Sequence, residues 1–289
     1  MNTSLKHLSQ GQRDKVERAV RIIVRAVQPE KIILFGLYGG AANGAALSDI
    51  SRSLPPVLGA YDMLVVTRAD DRRSDYELQD LVENRCREEV AVTALVHDIG
   101  YVNRRLSEGQ PFFSMVAEEG VLLYDAHRTP LVKAGLPDWE QVRWLAGRDF
   151  ERWGRQARAF FRSAQFNQQE KEWKLAGFLL HQAAEHAYQA ILLAFTGYKP
   201  TTHNLDKLRR YTNRLSLELA LLFPRDNAEE DHLFRLLSSG YVDARYKEEF
   251  VITGEEVGIL LERVRGLLGI AERLCFNHFI CLERKAAGG

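Results

Sequence analysis

The chain has 289 residues, 39 basic and 39 acidic, and a formal net charge of zero, so no global basic field draws it onto nucleic acid. A hydrophobic content of 46% and a charged content of 27% describe a soluble globular protein, long enough for two ordinary domains with their own cores. The opening residues lack a signal-peptide core, no apolar run approaches a membrane span, and Cys86, Cys275 and Cys281 read as reduced thiols; a cytoplasmic location is expected, with no membrane partner.

From about 11 to 28, Val16, Val20, Ile23, Val24 and Val27 recur at helical spacing and predict an amphipathic helix. Ile32 to Phe35 predicts a short buried strand, broken by Gly36, Gly39 and Gly40. Ala41 to Gly59, rich in small residues and carrying Pro55-Pro56, predicts a loop or an insertion. A strand follows at Met63 to Val66, a charged amphipathic helix at Ser74 to Arg87 and a third strand at Val90 to Val96. Short helices over Val102 to Leu106 and Phe112 to Glu119 precede an edge strand, Val121 to Tyr124. His127, Arg128, Pro130, Gly135 and Pro137 then interrupt any regular pattern. Beyond them the texture is helical throughout, over about 139–166, 170–196, 204–223, 227–247 and 253–284. Short connections between long helices imply antiparallel neighbours in a bundle. The domain reading is therefore 1–126, a linker over 127–138, and 139–289, in an α+β chain.

Two stretches of the first half carry a chemical pattern: Lys31-Ile-Ile-Leu-Phe-Gly-Leu-Tyr-Gly-Gly40, and after an interval Ala60-Tyr-Asp-Met-Leu-Val-Val66. A strand, a Gly-rich turn into a helix, and a second strand opening on an acidic residue resemble a nucleotidyltransferase of the polymerase-beta type. In that superfamily the turn reads roughly Phe-Gly-Ser-Tyr-Ala-Arg-Gly and the second strand opens Ser-Asp-x-Asp. Nucleotidyl transfer uses two divalent ions roughly 3.5–4 Å apart. Carboxylates at i and i+2 of a strand share a face and can hold both ions. Here that pair is Ala60 and Asp62, and the third strand offers Thr93 but no carboxylate before Asp98. A lone carboxylate holds Mg²⁺ poorly, so no metal set and no cofactor are assigned. Leu37 stands where the resemblance places a phosphate-contacting serine. Asp49 offers a rival alignment, but Ile50-Ser51-Arg52 follows it rather than a second carboxylate and a strand. The resemblance implies a mixed sheet with helices over residues 11–126, a nucleotide-binding turn at Gly36, Leu37, Tyr38 and Gly39, and Asp62 as the remnant of a catalytic site. Backbone N–H groups of the turn could still receive a phosphate.

The helical half contains Phe178-Leu-Leu-His-Gln-Ala-Ala-Glu-His-Ala-Tyr-Gln-Ala-Ile-Leu-Leu-Ala194, then Gly197-Tyr-Lys-Pro-Thr-Thr-His-Asn-Leu205, then Tyr241-Val-Asp-Ala-Arg-Tyr246. These three marks, in this order, resemble a HEPN domain over about 139–284, a family often paired or fused with minimal nucleotidyltransferases. The resemblance implies dimerisation through the bundle. Ala183, Ala184, Ala187 and Ala190 would let helices approach closely, in a tight bundle or at a dimer interface. His181, Glu185 and Tyr188 fall on one helical face. Thr202 and His203 stand at the next helix start, where Thr202 or Asn204 can cap. With Arg245 and Tyr246, these residues could line a groove for a phosphate or nucleotide. The plainer alternative is a set of buried hydrogen bonds, with His203 on a carbonyl and Arg245 on Glu185.

Other motifs carry less. His181 and His186 are five apart, about 140° around a helix, and cannot share zinc as i and i+4 histidines do. HEPN ribonucleases carry Arg, four to six residues, then His, a spacing met by Arg273…His278 and Arg225…His232. The first lies deep in the final helix and the second is crowded with acids. Arg148, Arg152, Arg155, Arg158 and Arg162 read as a solvated face paired with neighbouring acids. The expected protein is a nucleotide-binding or regulatory module, catalytically impaired. The alternatives are a HEPN-type ribonuclease of toxin-like character, guarded by the inactive first half, and a residual nucleotidyltransferase.

Overall fold

The computed structural model describes residues 2–6, 8–35, 61–213, 215–240 and 251–288, which fall into two compact units, Met1–Pro137 and Asp138–Gly289. In the first unit, α1 (Gln10–Val27) starts where Ser9 and Gln12 cap each other reciprocally. Its buried face, Val16, Ala19, Ile23 and Val27, follows the spacing seen in the sequence. Then come β1 (Lys31–Leu34), β2 (Tyr61–Thr67), α2 (Asp75–Cys86), β3 (Val92–Asp98), α3 (Ile99–Ser107), α4 (Pro111–Glu119) and β4 (Val121–Asp125).

The four strands form one mixed sheet in the order β3-β2-β1-β4. β1 runs antiparallel to both β2 and β4, whereas β2 and β3 are parallel and joined through α2. Every residue of β2 is buried, so it is the central, two-sided strand. Tyr61, Met63 and Val65 join α1 and α2 in one core, which by strand alternation turns Asp62, Leu64 and Val66 to the opposite face. Buried Lys31 is admitted to β1 by an ion pair with Asp125 on β4, Nζ to Oδ1 at 2.6 Å.

The third strand lies two residues later than the sequence predicts. Val90 is taken by the end of α2, its N–H donating to the Cys86 carbonyl at 2.8 Å. Helix α3 starts earlier than predicted because Asp98 caps it, accepting from Tyr101 N–H at 2.9 Å. The irregular segment after β4 is tied along α3. Asn103 donates to the Pro130 carbonyl and accepts from Val132 N–H, and Gly135 N–H reaches the Leu106 carbonyl.

Among the described residues the regular elements of the second unit are helices: α5 (Trp139–Gln169), α6 (Trp173–Thr196), α7 (Leu205–Asn213), α8 (Leu217–Leu222), α9 (Ala228–Ser239) and α10 (Gly254–Ala287). A left-handed residue, Lys171 at φ 63°, turns α5 back along α6. Ala157, Ala164, Ala176, Ala183, Ala184, Ala187 and Ala190 are all buried, so small side chains line the closest helix contacts. The predicted 204–223 helix is two helices. The break falls where Leu215 N–H returns to the Thr212 carbonyl and Ser216 opens a new helix by accepting from Glu218 N–H. Of the predicted 227–247 helix, Ala228–Ser239 is helical and Gly240 ends it; residues 241–250 lie outside the described residues.

Candidate functional site

Helix α6 is apolar almost all round, and its few polar residues mark its most unusual face. His181, Glu185, Tyr188 and Gln189 are all buried at i, i+4, i+7 and i+8. Glu185 is the centre. Its Oε1 accepts from Gln189 Nε2 at 3.1 Å and from His203 Nδ1 at 2.9 Å, and its Oε2 lies 3.5 Å from His181 Nε2. The other ring nitrogen of His181 donates to the Leu237 carbonyl at 3.0 Å, near the C-terminal end of α9. A carbonyl only accepts, so Nδ1 of His181 carries hydrogen and Nε2 is the edge turned to Glu185.

Burial acts to neutralise Glu185, but His181 and His203 outweigh it and hold the carboxyl below its ordinary value. The Glu185 side chain is 4% exposed, whereas the His203 side chain is 62% exposed. The cluster is therefore a buried anion with one imidazole behind it and another between it and solvent. Tyr188 is fully buried and its hydroxyl has no hydrogen-bond partner among the described residues. Burial raises its pKa.

His203 is presented by the turn into α7. Asn204 caps that helix, its Oδ1 accepting from Lys207 N–H at 3.1 Å, while Thr202 Oγ1 accepts from Asn204 N–H at 3.1 Å. Of the groove residues expected from sequence, His181, Glu185 and His203 are brought into one connected cluster. Tyr188 is buried beside them on α6, and Thr202 shapes the turn. Arg245 and Tyr246 lie outside the described residues. His203 Nδ1 meets Glu185 and His181 meets the Leu237 carbonyl, while the alternative's bond from Arg245 to Glu185 lies outside the described residues. Sequence reasoning passed over Gln189, although its i+4 offset from Glu185 was the available signal; the Leu237 carbonyl, a backbone group, has no residue-type signal at all.

Residues 150–274 match the HEPN domain family. This part of the chain is a HEPN domain. No curated protein resembles the chain closely enough to count as a relative.

In the second unit, both Arg…His pairs of ribonuclease spacing are engaged elsewhere. Arg225 is bound by Asp231 at 2.5 Å and by Asp206 at 2.9 Å, and His232 Nε2 lies 2.8 Å from Glu256. Arg273 is paired with Glu218, whereas His278 is stacked on Phe195 with ring centroids 4.2 Å apart. Burial, aided by Lys285, lowers the His278 pKa to about 4. His186 lies against Trp153 and Phe160, both at 5.0 Å, and its Nδ1 donates to the Gln182 carbonyl, well apart in direction from His181. Of the arginine run, Arg148, Arg155 and Arg158 are paired with Asp149, Glu151 and Glu272.

In the first unit, Asp62 is buried on β2 with Thr93 of β3 directly beside it in register. Asp98, the next acid along β3, caps α3 instead. The turn residues Gly36, Leu37, Tyr38 and Gly39, together with Ala60, lie outside the described residues.

Proposed function

We propose that this protein binds a nucleotide at the Glu185–His203 cluster of its HEPN domain and serves as a binding or regulatory module. The observation that carries this reading is the cluster's construction: a buried, ionised carboxylate held by His181 and Gln189 presents a solvent-facing imidazole at the start of α7. Much of the His203 side chain is exposed, whereas the Glu185 side chain behind it is buried.

The first unit fits a nucleotidyltransferase-like scaffold with impaired chemistry. Its mixed sheet agrees with that layout, and β3 sets Thr93, not a carboxylate, beside Asp62. A single carboxylate on β2 is a poor Mg²⁺ holder, so transfer chemistry is not part of the proposal. The ribonuclease reading loses support because Arg225 and Arg273 are tied to acids and half-buried His278 is stacked on Phe195 and held toward its neutral form. Dimerisation through the bundle is part of the proposal by likeness to other HEPN domains. The α6 alanines do not supply the seam, since they are buried inside this chain's own bundle.

Isothermal titration of the full chain with ATP and GTP, with and without Mg²⁺, tests the reading. Saturable binding without Mg²⁺ is expected, because the cluster has no need of a metal. No binding at millimolar nucleotide removes the proposal.

A further inference from the structure

We infer that the exposed face of α5 is a docking surface for single-stranded nucleic acid, with arginines on the phosphates and two exposed rings against the bases. The inference does not depend on the nucleotide-binding reading above and uses a different set of side chains.

A helix of 3.6 residues per turn brings Trp144, Arg148, Arg152, Arg155, Arg162 and Phe166 within about 80° of one another. All six are exposed. The buried residues of α5, Ala146, Gly154, Ala157, Phe161 and Ala164, fall on the opposite side, so packing turns the arginine row outward. At the rise of an α-helix the row runs about 33 Å from one ring to the other. Although the whole chain is neutral, this stretch is not. From Arg143 to Phe166 six arginines stand against two acids, Asp149 and Glu151, and the next acid is Glu170. The row was expected to be paired with neighbouring acids, and it is so only in part. Asp149 takes Arg148 at 2.7 Å, Glu151 lies 3.4 Å from Arg155, and Glu272 of α10 takes Arg158 at 2.9 Å. Arg152 and Arg162 have no ion pair among the described residues. The Arg148 and Arg155 pairs are exposed, so they hold weakly and exchange for phosphate at little cost.

The rings decide which polyanion fits. Trp144 is 62% exposed and Phe166 60%, and each stands at one end of the arginine row. Arg148 lies over the Trp144 ring at 5.0 Å, which adds a planar cation beside the indole. An acidic peptide would engage the arginines and leave both rings in water. An anionic bilayer asks for a separate apolar face, and α5 has already buried its own in the bundle. A single strand uses both features at once, its phosphates on guanidinium groups and its bases stacked on aromatic faces. A duplex keeps its base faces covered, so it meets the arginines alone.

The test is fluorescence anisotropy of the full chain with a labelled oligothymidylate of about 20 nucleotides, longer than a typical single-strand site, over a series of salt concentrations. Saturable binding that weakens as salt rises is expected. The double variant Arg152→Gln, Arg162→Gln removes two phosphate contacts and should make the log–log salt slope shallower by about 1.4. Trp144→Ala and Phe166→Ala should each weaken binding roughly five- to hundredfold while keeping the wild-type slope. A duplex of the same length should bind more weakly, and polyglutamate should not displace the strand. Every substituted side chain is exposed, and thermal unfolding by circular dichroism confirms that each variant folds. No saturable binding at low salt, a salt slope unchanged by the double variant, ring variants that bind as wild type does, or equal affinity for the duplex overturns the inference. Each of these results leaves the ATP titration of the Glu185 cluster to be judged separately.

Discussion

Glu185 shows how a single buried acid is made tolerable inside a helical bundle. An isolated carboxylate in the interior carries a heavy desolvation penalty, and here Gln189, His203 and His181 each face one of its oxygens. Its lowered pKa fixes the sign of the pH dependence. The stabilisation is fully present above the ordinary glutamate value and is lost as pH falls through the lower folded value. Glu185→Gln keeps the shape but removes the charge, and should cost about 1–3 kcal/mol at pH 7. The gap from wild type should narrow as pH falls below the ordinary glutamate range and through the lower folded value, where the native carboxyl takes up its proton. Denaturant melts in a pH series descending from 7 check this. At this scale the sequence was legible in part: residue types and spacing set His181, Glu185 and His203 together but left open which of them bond to one another. Helical spacing says which face a side chain shares but not which of two imidazoles reaches an acceptor first.

At the scale of elements, caps decide boundaries that periodicity leaves loose. Ser74, Asp98, Asn204 and Thr253 each accept from a first-turn N–H, and each fixes a helix start to the residue. Asn204 matters most for the site, since the turn it closes carries His203. Asn204→Ala should cost about 1 kcal/mol in thermal or denaturant unfolding and should weaken ATP binding without abolishing it. The long elements were readable because apolar periodicity over many residues averages out local exceptions, as α1 and α5 illustrate. The division of 204–223 into α7 and α8 was not readable. It is made by Ser216 and a backbone return from Leu215 to Thr212 rather than by a proline or glycine.

For the whole molecule, the described residues up to Pro137 form a mixed sheet with helices, and those after it form helices. Each unit buries its own apolar set: the first around α1, β1, β2 and α2, the second around α5, α6 and α10. Residues 138–289 expressed alone should therefore fold as a helical domain with a cooperative melt, and far-UV circular dichroism with thermal unfolding checks it. If that piece holds the ligand site, it should also bind ATP with the affinity of the full chain to within a few fold. The histidines make the decisive measurement available. With imidazole-labelled protein, proton–nitrogen NMR should show the His203 ring signals shifting on addition of ATP while those of half-buried His278, stacked on Phe195, stay in place. Movement of His278 without His203, or saturable ATP binding that leaves every His203 signal unchanged, would contradict the account.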